Sequence, residues 1–114
     1  MSEADEAIIS SMNSVSTSDA LEQRLGVKRA EIRRLAAKHG ATNVRVFGSY
    51  ARGDQRSDSD IDFLVDAGPD ITPFFPGGLI VDLEVLLHRK VDVVETVALH
   101  KLIRDRILKE AIPV

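Results

Sequence analysis

The sequence predicts a small α/β domain: a mixed β-sheet of three strands or slightly more, packed by helices. Three observations carry this expectation. Short β-branched and aromatic runs at residues 43–47, 60–65 and 91–95 read as strands. The stretches around them, residues 18–40, 79–88 and 99–111, space their apolar residues at helical intervals. Finally, 114 residues with 44% hydrophobic content suffice for one modest core and leave no room for a separate substrate domain.

Residues 1–17 are Ser-rich, with Ile8 and Ile9 the only strongly apolar pair, and read as a flexible or partner-dependent tail ahead of a domain at 18–114. Ser18 as N-cap, followed by Glu22, opens a helical segment whose stripe is Leu21, Leu25, Ile32, Leu35 and Ala36. Gly26 bends or divides it, and Gly40 ends it. Its polar face carries Arg24, Lys28, Arg29, Arg33, Arg34 and Lys38. Such a face is ordinarily solvated; the sharper reading is a docking surface for an acidic partner. A faint helix-turn-helix pattern over residues 21–35 is set aside, because the chain cannot hold a DNA-binding module beside the rest.

The first strand, 43–47, runs into a short helix at 50–53. In the second, 60–65, Asp60 and Asp62 share one face while Ile61, Phe63 and Val65 enter the core. Residues 68–78 form a loop in which Phe74 and Phe75 read as core plugs rather than a base-stacking platform. Leu79, Leu83, Leu86 and Leu87 mark a helix ending near His88. The third strand sets Asp92 and Val94 on one face, Val91 and Val93 on the other. A last helix carries Leu99, Leu102, Ile103, Ile107 and Ala111, and Pro113 closes it. His39, His88 and His100 lack metal-ligand spacing and read as structural or surface residues.

Net charge is −3 and the isoelectric point about 5.6, which argues against non-specific nucleic-acid binding. With no cysteine, disulfides and thiolate metal sites are excluded. No run of 18 apolar residues occurs, and the first residues lack the pattern of a signal peptide, so the expectation is a cytoplasmic chain with no membrane association.

The chemistry concentrates in GSYARGDQRSDSDIDFLVD, residues 48–66. Gly48 and Ser49 fall where a strand gives way to a turn; the glycine lets a ligand approach the backbone, and the Ser49 hydroxyl and nearby N–H groups can point at an anion. Ten residues separate Ser49 from Asp60, and one separates Asp60 from Asp62. Two carboxylates held together repel, and a hard divalent cation relieves that repulsion. Mg²⁺ commonly uses one or two carboxylates plus substrate phosphates, and two such ions can clamp an in-line displacement at phosphorus. Arg52 either reaches a phosphate oxygen or is an ordinary surface arginine; Arg56 is a weaker candidate.

This stretch resembles the signature of the minimal nucleotidyltransferase (MNT) domains of the DNA polymerase β-like nucleotidyltransferase superfamily: GS, ten residues, then DxD. Gly48 and Ser49 match the phosphate-binding pair, and Asp60 and Asp62 the metal-binding carboxylates. Asp92, in Lys90-Val91-Asp92-Val93-Val94, matches the third acid, with Glu95 as the substitute if the register differs. The likeness covers residues 25–114. It implies a nucleotidyltransferase fold and a protein adenylyltransferase using ATP and Mg²⁺, two ions in all. Catalytic and metal roles fall to Asp60, Asp62 and Asp92, and nucleotide binding to Gly48 and Ser49, with Arg52 added from its own reading above. It further implies an antitoxin that transfers AMP to a tyrosine of a HEPN-domain ribonuclease toxin and forms a hetero-oligomer with it. The competing expectation is a catalytically silent antitoxin that masks its toxin by binding. A small-molecule nucleotidyltransferase is disfavoured, since no further domain exists to hold the acceptor.

Overall fold

A computed structural model describes residues 25–56 and 58–114. The tail expected at 1–17, and the start of the helical segment at Ser18, lie outside the described residues. The elements are α1 (Lys28–Lys38), β1 (Ala41–Phe47), α2 (Ser49–Arg52), β2 (Ile61–Ala67), α3 (Gly77–Leu87), β3 (Val91–Glu95), a 3-10 turn (Thr96–Ala98), α4 (Lys101–Glu110) and β4 (Ile112–Pro113). The sheet has four strands in the order β3-β2-β1-β4. β1 runs antiparallel to both β2 and β4, while β2 and β3 are parallel, with α3 in the crossover between them.

One sheet face carries the core. Val46, Ile61, Phe63, Val65, Val91 and Val93 pack there with Ile32 and Ala36 of α1 and Leu79 and Leu83 of α3. β2 departs from simple alternation because Leu64, on the opposite face, is also fully buried. Gly26 does interrupt the first helical segment, adopting a φ of 60° just before α1. His39 is buried, joined through Nδ1 to Thr72 Oγ1 (2.9 Å) and through Nε2 to Asp82 Oδ2 (2.8 Å), which ties the end of α1 to the loop and to α3.

Four expectations change. The expected basic face of α1 is partly spent inside the molecule: Lys28 donates to Leu86 O (3.1 Å), and Arg33 to Val114 O (2.6 Å). Phe74 is 84% exposed, so only Phe75 packs on the core. Leu102 is 83% exposed and α4 has no buried residue, because helical spacing sets a stripe without supplying anything to cover it. Pro113 does not merely close the last helix; it sits in β4, opposite Arg45, while Ile112 pairs with Val46 and is buried. An edge strand tolerates a residue with no N–H to donate.

Candidate active site

β1 ends at Phe47, and Gly48 turns the chain with φ 73° and ψ −148°, a region closed to residues with a side chain. A Cβ at this position would lie 2.5 Å from Oδ2 of Asp62, so the carboxylate rests directly against the glycine. Ser49, half-buried, then opens α2. The turn is wound tightly by backbone bonds: Arg52 N–H donates to Gly48 O (3.1 Å), and Gly53 N–H to Ser49 O (2.9 Å).

The register of β2 on β3 sets Asp62 opposite Asp92, Ile61 opposite Val91 and Phe63 opposite Val93. Residues paired in register project from the same face, on strands about 4.8 Å apart, so Asp62 and Asp92 stand side by side. Asp60 lies one residue ahead of β2, just short of the strand expected to contain it. Asp60 and Asp92 are exposed and Asp62 is half-buried. Burial, then the charges of Asp92 and Asp60, raise the Asp62 carboxyl above its ordinary value, while Arg52 pulls the other way. Asp62 therefore feels both of the other acids. Glu95, opposite Val65 and three residues beyond Asp92, falls on the other face.

The donor set is entirely oxygen, which suits a hard cation. Among the described residues, no three of His, Cys, Asp and Glu form a group that could hold a metal ion, so Asp60, Asp62 and Asp92 are not gathered into a three-carboxylate site. Mg²⁺ commonly uses one or two carboxylates completed by waters and substrate phosphates, and the facing Asp62 and Asp92 are such a pair.

Arg52 is exposed and faces carboxylates: its Nε lies 3.3 Å from Asp54 Oδ2 and its Nη1 3.6 Å from Glu110 Oε2. Two further residues belong to the site although no motif marks them. Arg89 donates to Ser59 O (2.6 Å) and Arg56 O (3.1 Å), and its guanidinium lies 5.6 Å from the centre of the Tyr50 ring. It thus clamps the loop before Asp60 onto the segment after Gly48. Glu110 accepts the Gly48 N–H at 2.9 Å. Phe47, Gly48, Arg52, Arg106, Ile107 and Glu110 line a cavity of about 410 Å³. One signal for Glu110 existed: a carboxylate in the last turn of a helix opposes the helix dipole and invites a search for a tertiary partner.

With this geometry in hand, the chain can be set beside known proteins. Residues 29–114 match the family model described as the nucleotidyltransferase domain. The protein adenylyltransferase MntA of Thermococcus cleftensis is 35% identical over 94 residues, covering 81% of this chain and 93% of that one. A Methanocaldococcus jannaschii protein, by name a candidate protein adenylyltransferase, is 43% identical over 77 residues, or 68% of this chain and 83% of its own. A solved structure described as a candidate minimal nucleotidyltransferase superposes with a TM-score of 0.73 at 42% identity, covering 81% of this chain and 94% of that one. A toxin–antitoxin crystal structure with AMP-PNP aligns at 22% identity with a TM-score of 0.65, over 76% of this chain and 72% of that one, which speaks to fold alone. The GS-and-DxD turn, the mixed sheet and these likenesses agree: the chain belongs to the nucleotidyltransferase domain family and, within it, to the minimal nucleotidyltransferases.

Proposed function

We propose that this nucleotidyltransferase transfers AMP from ATP to a tyrosine hydroxyl of a HEPN ribonuclease toxin and thereby acts as its antitoxin. The observation that carries the chemistry is the placement of Asp62 opposite Asp92, with Asp60 close enough to raise the Asp62 carboxyl. Support for the acceptor class comes from MntA of Thermococcus cleftensis, named a protein adenylyltransferase. The toxin–antitoxin neighbour with AMP-PNP shares the fold, while ATP and a toxin partner are carried over from the family resemblance. The HEPN identity and the tyrosine rest on the family resemblance.

In this reading the acceptor oxygen attacks the α-phosphorus of ATP, the α–β phosphoanhydride bond breaks, and pyrophosphate leaves. Gly48 N–H, the Ser49 hydroxyl and Arg52 hold the polyphosphate. Asp60, Asp62 and Asp92 would hold Mg²⁺, which when bound neutralises charge at the reacting and departing phosphates. Asp92, the exposed member of the facing pair, takes the proton of the acceptor hydroxyl. Gly48, by admitting the Asp62 carboxylate to its own backbone, keeps the phosphate grip next to the acids, and positioning contributes most of the rate.

The test is to incubate the chain with ATP, Mg²⁺ and the protein encoded beside it, and to weigh that protein. AMP adducts in the wild type, absent from the Asp60→Ala/Asp62→Ala double variant, are the expected result. No adduct on a verified toxin, with neutralisation retained by the double variant, would instead mean masking by binding.

A further inference from the structure

The Glu110 carboxylate stands where a phosphate would have to go. Its Oε2 accepts the Gly48 N–H at 2.9 Å and lies 3.6 Å from Nη1 of Arg52. Gly48, Arg52, Arg106 and Glu110 share the same cavity wall. A backbone N–H has one proton to donate, so a phosphate oxygen reaching Gly48 displaces this carboxylate. Arg52 and Arg106 line the cavity with Glu110, and Arg52 also meets Asp54 from outside it (3.3 Å), so a ligand of higher charge than one carboxylate gains most by replacing Glu110.

We propose that Glu110 is an internal competitor for the polyphosphate of the nucleotide: it occupies the Gly48 amide until substrate arrives, and is then expelled. The proposal rests on the functional reading above in placing polyphosphate at Gly48. Expulsion is a side-chain rotation rather than a helix movement. Only Ala111 separates Glu110 from Ile112, which is buried and paired with Val46, so the backbone at residue 110 is held by the sheet. The glutamate, by contrast, is only half-buried and turns about its side-chain torsions. Once it leaves, Gly48 N–H, Arg52 and Arg106 all face the ligand. Glu110 thus sets a threshold: a singly charged anion gains little by replacing another carboxylate, whereas a triphosphate also engages both arginines.

The test uses the full chain as wild type, Glu110→Gln and Glu110→Ala. Inorganic tripolyphosphate is titrated by calorimetry at constant Mg²⁺, and the Gly48 amide is followed by ¹H–¹⁵N spectroscopy. Glu110→Gln keeps the shape and removes the charge, and should bind tripolyphosphate roughly tenfold more tightly, the scale of one charge-assisted hydrogen bond. Its Gly48 amide resonance should shift without any ligand. Unchanged affinity in both variants overturns the proposal. Weaker binding in both also overturns it and makes Glu110 a brace for the turn; so does an absence of binding in all three chains. Relief of competition in a chain that transfers no AMP would uphold this inference and sink the functional reading. Transfer with unchanged tripolyphosphate affinity would do the reverse.

Discussion

Replacing Gly48 by Ala should damage both stability and chemistry, and the sizes of the two effects can be worked out separately. The backbone at φ 73° and ψ −148° costs a side-chain-bearing residue about 2 kcal/mol. In a domain of this size that lowers the melting temperature by about 10 °C. The new Cβ would also sit 2.5 Å from Oδ2 of Asp62, where ordinary contact begins at 3.4 Å, so the carboxylate must retreat by most of an ångström. A displacement of that size at a reacting centre costs on the order of 10²-fold in transfer rate. Gly77→Ala is the control. Nothing lies within 4 Å of a Cβ there, and the residue opens α3, so the change should be neutral or stabilising by up to about 1 kcal/mol. Thermal unfolding followed by circular dichroism and single-turnover AMP transfer read the two effects. A Gly48→Ala chain that melts within about 2 °C of wild type and transfers AMP at an undiminished rate would show that neither the strain nor the clash with Asp62 operates.

Three more outcomes follow from the same geometry. Asp62→Asn should melt higher than the wild type at neutral pH without metal: a carboxyl raised by burial, Asp92 and Asp60 costs stability as pH climbs from the ordinary carboxylate value through the raised one, and the two curves should converge below that window. Asp82→Asn should flatten the acid limb instead. Hydrogen bonds from His39 and then Lys38 lower the Asp82 carboxyl, so its contribution is present above the unfolded value and lost as pH falls through the lowered one, as a pH series of melting curves would record. Arg89→Ala should cost about 1 kcal/mol in denaturant unfolding, chiefly through the part-buried bond to Ser59 O, since water can replace the exposed one to Arg56 O, and Arg89→Lys, lacking the planar fork, should restore only part of it.

What could be read in advance follows the range of the forces involved. Strand alternation and helical spacing are local, so the Val91–Glu95 strand emerges with its observed bounds and the Gly77–Leu87 helix with its apolar stripe. β4 is not local: Ile112 and Pro113 directly follow a helix, and only their pairing with Val46 and Arg45 makes them a strand. The same division runs through the site. Gly48, Asp60 and Asp62 announce themselves by spacing, but that Asp92 rather than Glu95 stands beside Asp62 depends on the register of two parallel strands. Arg89 and Glu110 act through carbonyl and amide groups of distant segments, and backbone acceptors and donors leave no trace in residue type.

Because β2 and β3 pair in parallel, the last of the three acids cannot arrive by a hairpin; the chain must first complete the excursion through α3. A nascent or truncated polypeptide ending before Val91 therefore exposes a half-built pair of like charges with nothing opposite them. On the function proposed above, competence at this face waits for the crossover to close, since Asp92 comes beside Asp62 only once β3 has paired with β2.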